Sequence, residues 1–294
     1  FLALTLACHA PASGPQPVLD DGPLSVMTFN VRYGTADDGQ DRWENREQHV
    51  LDVIAAESPT LLAVQEALDF QADTIAARFA HYTKVGQHRE GGRKNEFSGM
   101  FVDTRRLAVE ASGDLWLSQT PDIVGSVGWD AALTRNATWA RLRDLATGAR
   151  FVAISSHFDH VGQRARLKSA SLLAKKLAAE CRAGAPSDGP PLPGLLLGDL
   201  NADETDPPII ALREAGLVDS FRILHPGASS PAEVGTFTGF RAEPDGRKID
   251  YVFVIGDWAV HDAAILRPRR DGRNASDHDP VVAELSLLGA SERQ

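Results

Sequence analysis

The chain is poor in cysteine, with only Cys8 and Cys181 among 294 residues. Two cysteines are too few for a disulfide framework, so the fold has to be stabilised by an apolar core. The apolar run at the start of the chain, up to Cys8, is also too short to span a bilayer. The sequence thus excludes a small disulfide-linked domain, and it offers no group of thiolates that would hold a structural zinc ion.

Positive charge is also scarce. The chain has 30 Lys and Arg against 40 Asp and Glu, a net charge of −10, and no Lys/Arg run. Nonspecific binding to duplex DNA depends on many basic residues that neutralise phosphates, so this balance disfavours a DNA substrate without excluding a local basic rim. Part of the acidic excess is expected to belong to a metal site.

The composition is that of an ordinary globular protein, with 43% hydrophobic and 24% charged residues. The length would allow one large domain or two small ones, but the motifs described below extend from Asn30 to His278. We therefore predict one catalytic domain over residues 24–288. Residues 1–23 are interpreted as a leader and linker, and residues 289–294 as a tail.

The first residues are typical of a truncated export signal. An apolar run ends at Leu6-Ala7-Cys8, and a Pro/Gly/Ser-rich stretch follows as far as Pro23. Leu6-Ala7-Cys8 resembles a bacterial lipoprotein cleavage site, although Thr5 replaces the usual Leu. The sequence predicts an exported cell-surface or periplasmic protein with a lipid anchor at Cys8. Simple secretion and a cytoplasmic start are the alternatives.

Apolar patterning predicts an α/β architecture. Four short apolar runs are typical of buried strands: Leu24 to Phe29, Leu61 to Val64, Phe151 to Ile154 and Leu195 to Leu197. Helical spacing predicts three longer helices: Trp43 to Glu57, Phe70 to Phe79 and Arg164 to Cys181. A further short helix is expected to be capped by Asp206, with Pro207 in its first turn.

Polar residues cluster at or just after the ends of these strands. They form the motifs Phe29-Asn30, Val64-Gln65-Glu66, Ser156-His157, Gly198-Asp199-Leu200-Asn201, Ile249-Asp250-Tyr251 and Ser276-Asp277-His278-Asp279-Pro280. Carboxylates and amides are hard oxygen ligands that suit Mg²⁺ or Mn²⁺. With two histidines able to contact a phosphate, the set indicates metal-assisted hydrolysis of a phosphate ester.

These six motifs, in this order, resemble the endonuclease/exonuclease/phosphatase superfamily over about residues 24–285. The segments Gly113 to Pro121 and Gly128 to Ala132 are similar to an exported bacterial branch related to the deadenylases. The resemblance implies a four-layer α/β/β/α sandwich, in which two mixed β-sheets pack face to face with helices outside.

The resemblance also implies roles for individual residues. The metal ligands would be Asn30, Glu66 and Asp277. The catalytic residues would be His157, Asp199, Asn201, Asp250, His278 and Glu96. Asp199 would activate or orient the attacking water, which Asn201 would hold in line. Asp250 would orient His278, and Glu96 would orient His157. Whether Asp199 or His278 is the base stays open.

Four further residues are predicted to contact the substrate. Trp129 and Arg135 would form a specificity loop that stacks on a base and grips phosphate. Arg166 and Arg273 are secondary phosphate candidates. Arg32 stands where some nucleases of the superfamily have an acidic residue, which disfavours a second metal there.

The sequence therefore predicts a phosphoesterase dependent on Mg²⁺ or Mn²⁺ that acts on a small phosphodiester or phosphomonoester. We expect a monomer without an obligate protein partner. An RNA or DNA exonuclease is the first alternative. The second is a noncatalytic phosphate-binding surface protein, which would have no need of a water-activating carboxylate.

Overall fold

A computed structural model describes residues 21–288 of the chain. The predicted export leader and the predicted lipid anchor at Cys8 lie outside these residues. Within residues 21–288, no helix is both long and apolar enough to cross a membrane.

The described part of the chain contains fourteen strands, six α-helices and one short 3₁₀ helix, Gly39–Asp41. The strands are β1 (Leu24–Asn30), β2 (Leu61–Gln65), β3 (Tyr82–Val85), β4 (Met100–Asp103), β5 (Leu107–Trp116), β6 (Asn136–Asp144), β7 (Arg150–His157), β8 (Gly194–Asp199), β9 (Val218–Asp219), β10 (Asp250–Ile255), β11 (Trp258–Ile265), β12 (Arg269–Arg270), β13 (Arg273–Asn274) and β14 (Val281–Leu287). The helices are α1 (Trp43–Glu57), α2 (Asp69–Arg78), α3 (Gln163–Gly184), α4 (Pro207–Glu214), α5 (Ser220–Leu224) and α6 (Pro231–Val234).

Twelve of these strands form two mixed six-stranded sheets, and β12 and β13 form a separate two-stranded sheet. The first has the order β11-β14-β1-β2-β4-β3 and the second β5-β6-β7-β8-β10-β9. One apolar cluster lies between the sheets and includes Val26 and Leu197. A second packs α1 and α2 on the outer face of the first sheet, and a third packs α3 and α4 on the second. The predicted four-layer sandwich is confirmed.

The four strands predicted from apolar runs are the central ones of the two sheets. β1 pairs with β2 in parallel, and β7 pairs with β8 in parallel. A parallel pair needs a crossover connection, which α1 and α3 provide. Since β10 is antiparallel to β8 and β14 is antiparallel to β1, the amino ends of β10 and β14 lie at the carboxyl ends of the parallel strands.

The predicted helices are present with small differences in their ends. α1 has the predicted bounds, and α3 extends to Gly184 instead of ending at Cys181. Asp206 occupies the N-cap position of α4, yet its carboxylate accepts from the Asp203 amide instead of capping the helix.

Truncating a side chain between the two sheets is expected to destabilise the fold. Leu197 is fully buried there, so Leu197→Ala should lower the free energy of unfolding by about 2–5 kcal/mol. Ile123→Ala is the matched control, because Ile123 is 58% exposed and should change stability by less than about 0.5 kcal/mol. Urea unfolding of the two variants measures the difference, and equal losses would contradict the described packing.

Candidate active site

The polar residues at the strand ends meet in one cleft. In the strand register, Asn30 is paired with Gln65, His157 with Asp199, and Asp250 with Asp199. Their common edge opens on a cavity of about 400 Å³. Among the predicted site residues, its lining includes Glu66, Glu96, Arg135, His157, Asp199, Asn201, Asp277 and His278. Asn30 and Asp250 are buried next to it through their contacts with Asp199 and His278.

The backbone at this edge needs a glycine at one position. Gly198 has a φ of 146°, and a Cβ there would come within 1.9 Å of the Ser156 carbonyl oxygen. Only glycine therefore lets β8 approach β7 this closely. The close approach places Asp199 next to His157, with 3.4 Å between Asp199 Oδ2 and His157 Nε2.

His278 lies between two buried carboxylates. Its Nδ1 is 2.8 Å from Asp250 Oδ2, and its Nε2 is 3.7 Å from Asp199 Oδ2. Burial lowers the pKa of His278, but the negative charges of Asp250 and Asp199 outweigh this effect and raise the pKa well above its usual value. The ring is therefore an imidazolium near neutral pH, and Asp250 orients it.

Asp199 is buried and lies near a second carboxylate, that of Asp250. Burial, together with the charge of Asp250, raises its pKa from 3.8 to about 7, against the opposing effects of His278 and of two hydrogen bonds. Those bonds come from the Asn201 amide nitrogen and from Asn30 Nδ2. A carboxyl group whose pKa is close to neutral is suited to accepting a proton from water.

Asn30 joins the two sheets. Its Nδ2 lies 3.0 Å from both Asp199 Oδ2 and Glu66 Oε1, and its Oδ1 accepts from the Arg32 amide. With the amide in this orientation, nitrogen and not oxygen faces the carboxylates. Asn30 thus positions Glu66 and Asp199, while its oxygen is not directed at the predicted metal.

The remaining donors fit a divalent cation. One carboxylate oxygen of Glu66 and one of Asp199 lie within 4.8 Å of each other, beside His157. Burial, and also the charge of Glu66, raises the pKa of Asp277 despite the neighbouring His278 and Arg32. A cation between Glu66 and Asp277 would relieve this repulsion, and carboxylate oxygens are the ligands that Mg²⁺ and Mn²⁺ prefer.

The prediction that Glu96 orients His157 needs correction. Arg135 lies between them: its Nη1 is 2.7 Å from His157 Nδ1 and 3.7 Å from Glu96 Oε2. Glu96 makes its shorter ion pair with Arg89, at 2.8 Å. The Arg135 guanidinium occupies the hydrogen-bonding position at His157 Nδ1, so the Glu96 carboxylate does not contact the ring directly.

Three predicted substrate contacts are not brought to the cleft. Trp129 is half-buried outside the lining, so it does not form a wall with Arg135. Arg166 donates to the Asp159 carbonyl and lines a separate cavity beside α4. Arg273 is exposed and contacts Asp41.

Five residues that line the cleft were not predicted from the polar residues at strand ends. Phe237 packs edge-on against the His278 ring at 5.1 Å, and Leu133, Tyr33, Arg32 and His160 complete the lining. These residues lie in loops, where no periodicity marks them. The one available signal was their place near the recognised motifs, such as Arg32 and Tyr33 after Asn30.

Residues 27–278 match the model of the Endonuclease/Exonuclease/phosphatase family. A Bacteroides vulgatus protein described as an endonuclease/exonuclease/phosphatase has 30% identity over 90% of this chain and 99% of its own, with a TM-score of 0.80. The mannosyl-6-phosphatase of Bacteroides thetaiotaomicron has 30% identity over 90% of this chain and 100% of its own, with a TM-score of 0.79.

The catalytic domain of human Nocturnin shares the fold. It has 20% identity over 91% of this chain and 94% of its own, with a TM-score of 0.68. No curated protein matches the chain.

Replacing Asp199 by Asn is expected to stabilise the metal-free protein in a pH-dependent way. The raised pKa means that the folded state binds this proton more tightly, so wild-type stability falls as pH rises from 3.8 towards about 7. Because Asn cannot ionise, the variant does not lose stability over this pH range. The gain in melting temperature for Asp199→Asn should therefore be larger at about pH 8 than at about pH 5.

Thermal unfolding in chelator measures this gain. The exposed Asp122→Asn serves as the control and should show no such pH dependence. A gain for Asp199→Asn that is the same at both pH values would contradict the raised pKa.

Proposed function

Because the chain belongs to the endonuclease/exonuclease/phosphatase family, we propose that it is a divalent-metal-dependent phosphoesterase that hydrolyses a small phosphate ester by in-line attack of water. Members of this family are hydrolases that act on phosphoesters. The observation that carries the proposal is the meeting of Glu66, Asp199 and His278 in one cleft.

Glu66 and Asp277 would hold the cation, Mg²⁺ or Mn²⁺. When bound, such a cation neutralises charge on the phosphate and polarises its oxygens. Arg32, whose Nε is 3.8 Å from Asp277 Oδ2, keeps that carboxylate in place and is itself paired with Asp38.

The other side chains handle protons and developing charge. Asp199 accepts a proton from the attacking water, and Asn201 orients that water or a phosphate oxygen. His278, held as an imidazolium by Asp250, donates to a nonbridging phosphate oxygen as negative charge grows on it. His157, whose Nε2 is 3.4 Å from Asp199 Oδ2, donates to another phosphate oxygen. The alternative assignment, in which His278 is the base, is disfavoured because its raised pKa leaves no free lone pair at neutral pH.

The substrate class that we favour is a small phosphomonoester. Two observations support this choice: the cavity of about 400 Å³ is modest in size, and one relative at 30% identity is named a mannosyl-6-phosphatase. A sugar phosphate is thus the first substrate to test. The net charge of −10 disfavours a polymer of nucleotides, which would have to approach an acidic surface.

We also propose that the protein is exported, with a lipid at Cys8. This proposal rests on the sequence around Leu6-Ala7-Cys8 alone. Mass spectrometry of the membrane-associated protein from a bacterial host would test it: a diacylglyceryl adduct on Cys8 supports the proposal, and an unmodified Cys8 contradicts it.

Turnover by the purified protein tests the activity. With Mg²⁺, we expect hydrolysis of mannose 6-phosphate and of bis-p-nitrophenyl phosphate, and slower release from labelled RNA. Asp199→Ala and His278→Ala should each lower kcat by about 100- to 10,000-fold, as expected for loss of a proton-transfer or charge-stabilising group. Absence of turnover on every phosphoester under metal titration would favour the noncatalytic alternative, and faster cleavage of RNA would favour the exonuclease.

Metal dependence is tested at Glu66. Glu66→Gln keeps the shape of the side chain but removes its charge, so the Mg²⁺ concentration for half-maximal activity should rise by at least about 10-fold. The exposed Glu90→Gln is the control. Full activity of the wild-type protein in excess chelator would overturn the metal requirement.

A further inference from the structure

We infer that Arg135 sets the tautomer of both His157 and His160, so that each ring presents an Nε2 proton towards the substrate's phosphate. Arg135 is thus a positioning residue, in place of the phosphate-gripping role that its sequence context suggested. The use of the two protons in catalysis rests on the proposed function, whereas the tautomers themselves do not.

The direction of the hydrogen bonds follows from the chemistry of arginine. Arg135 Nη1 is 2.7 Å from His157 Nδ1, and its Nη2 is 3.3 Å from His160 Nδ1. A guanidinium stays protonated in proteins and has no lone pair to offer, so it can only donate. Both Nδ1 atoms must then accept, and a neutral ring with an acceptor at Nδ1 carries its proton on Nε2.

Burial strengthens this constraint at His157. The side chains of Arg135 and His157 are 5% and 3% exposed, so water cannot replace the bond between them. Burial, and then the positive charge of Arg135, lowers the pKa of His157 well below its usual value. His157 is therefore a neutral donor, which distinguishes it from the charged His278.

The opposite tautomer is less favourable at the same position. In that tautomer, the proton on His157 Nδ1 would face the N–H of Arg135, since the two nitrogens are 2.7 Å apart. The ring would gain only a neutral hydrogen bond in return, donated by Asn201 Nδ2 to Nε2 at 3.0 Å. A charge-assisted bond is about twice as strong as a neutral one. Asn201 Nδ2 also has another acceptor, the Phe158 carbonyl oxygen, at 3.0 Å.

Anchoring of the guanidinium makes the arrangement rigid. Glu96 Oε2 is 3.7 Å from Arg135 Nη1 and 2.8 Å from Arg89 Nη1, so one buried carboxylate compensates two cations. The Arg135 carbonyl also accepts from the Leu117 amide, which fixes the backbone just before β6. Glu96 therefore acts on His157 through Arg135.

His160 has a different exposure from His157. It is exposed and lines the cleft, so its Nε2 proton can reach a bound ester. His157 lies deeper, beside Asp199. One cation would thereby orient two ring donors at different depths of the same cleft.

Long-range ¹H–¹⁵N correlation spectra of the ¹⁵N-labelled protein at mildly alkaline pH test the tautomers directly. His157→Gln and His160→Gln assign the two rings by the loss of their signals. We expect an unprotonated Nδ1 and a protonated Nε2 in both rings of the wild-type protein. An Nδ1–H tautomer of His157 would overturn the inference. This measurement needs no activity and no folded Arg135 variant, so it is decided separately from the proposed function.

Arg135→Met and Arg135→Lys then test the consequence. In Arg135→Met, the His157 signals should shift towards the other tautomer, and kcat should fall by roughly 10- to 100-fold with little change in KM. Arg135→Lys keeps a charged donor and should restore part of both properties. A rise in KM with unchanged kcat would instead identify Arg135 as a direct phosphate ligand. A wild-type protein that shows the expected tautomers but hydrolyses no phosphoester would refute the proposed function alone.

Discussion

The site depends on an imidazolium held between two carboxylates at the edge where both sheets end. Asp199 and Asp250 are paired in the register of β8 and β10, so their negative charges lie close together inside the protein. Such burial is tolerable only because His278 stands between them and is charged. Removing one partner of a buried ion pair such as that of His278 and Asp250 typically costs about 3–5 kcal/mol, because the other charge is left uncompensated.

This cluster explains why the two sheets need to meet closely. His278 precedes β14 in the first sheet, whereas its two carboxylates belong to the second. Asn30 makes a second connection between the sheets, from the end of β1 to Asp199. The apolar cluster that contains Val26 and Leu197 sets the spacing of the sheets, and the polar contacts at their edge require that spacing. The geometry of the site therefore depends on the packing of the core between the sheets.

Strand-end residues were predictable because a parallel strand has a simple signal. Short apolar runs marked β1, β2, β7 and β8, and the polar residue after each run had to lie at one edge. The order of the motifs along the chain supported the resemblance to the family, and that resemblance implied the sandwich.

Contacts made by loop residues had no such signal. Arg135 precedes β6 in the second sheet, and Glu96 lies between β3 and β4 of the first, so the distance between Glu96 and His157 depends on how the two sheets pack together. Sequence order contains no information on which of two ionic side chains reaches a given ring nitrogen. The assignment of Glu96 therefore failed where that of Asp250 agrees with the structure, because Asp250 lies in the strand register itself.

Two tryptophans, Trp116 and Trp139, pack against neighbouring residues. Trp116 is buried and donates to the Arg89 carbonyl, and Trp139 lies beneath Lys176, whose Nζ is 4.6 Å from the ring centroid. Both rings therefore serve packing.

The segment Gly128 to Ala132 is hydrogen-bonded to the start of α3 and to Asp159. Asp130 accepts a hydrogen bond from the Ala165 amide at the start of α3. A carboxylate at this position also interacts favourably with the positive end of the helix dipole. Asp159 accepts from Ala132 and Leu133, which fixes Leu133 in the wall of the cleft. These bonds attach the Leu133 wall of the cleft to the start of α3 and to the segment after β7. A wall held at a fixed position supports our proposal of a compact ester as the substrate, whatever the aromatic content of the neighbouring loop.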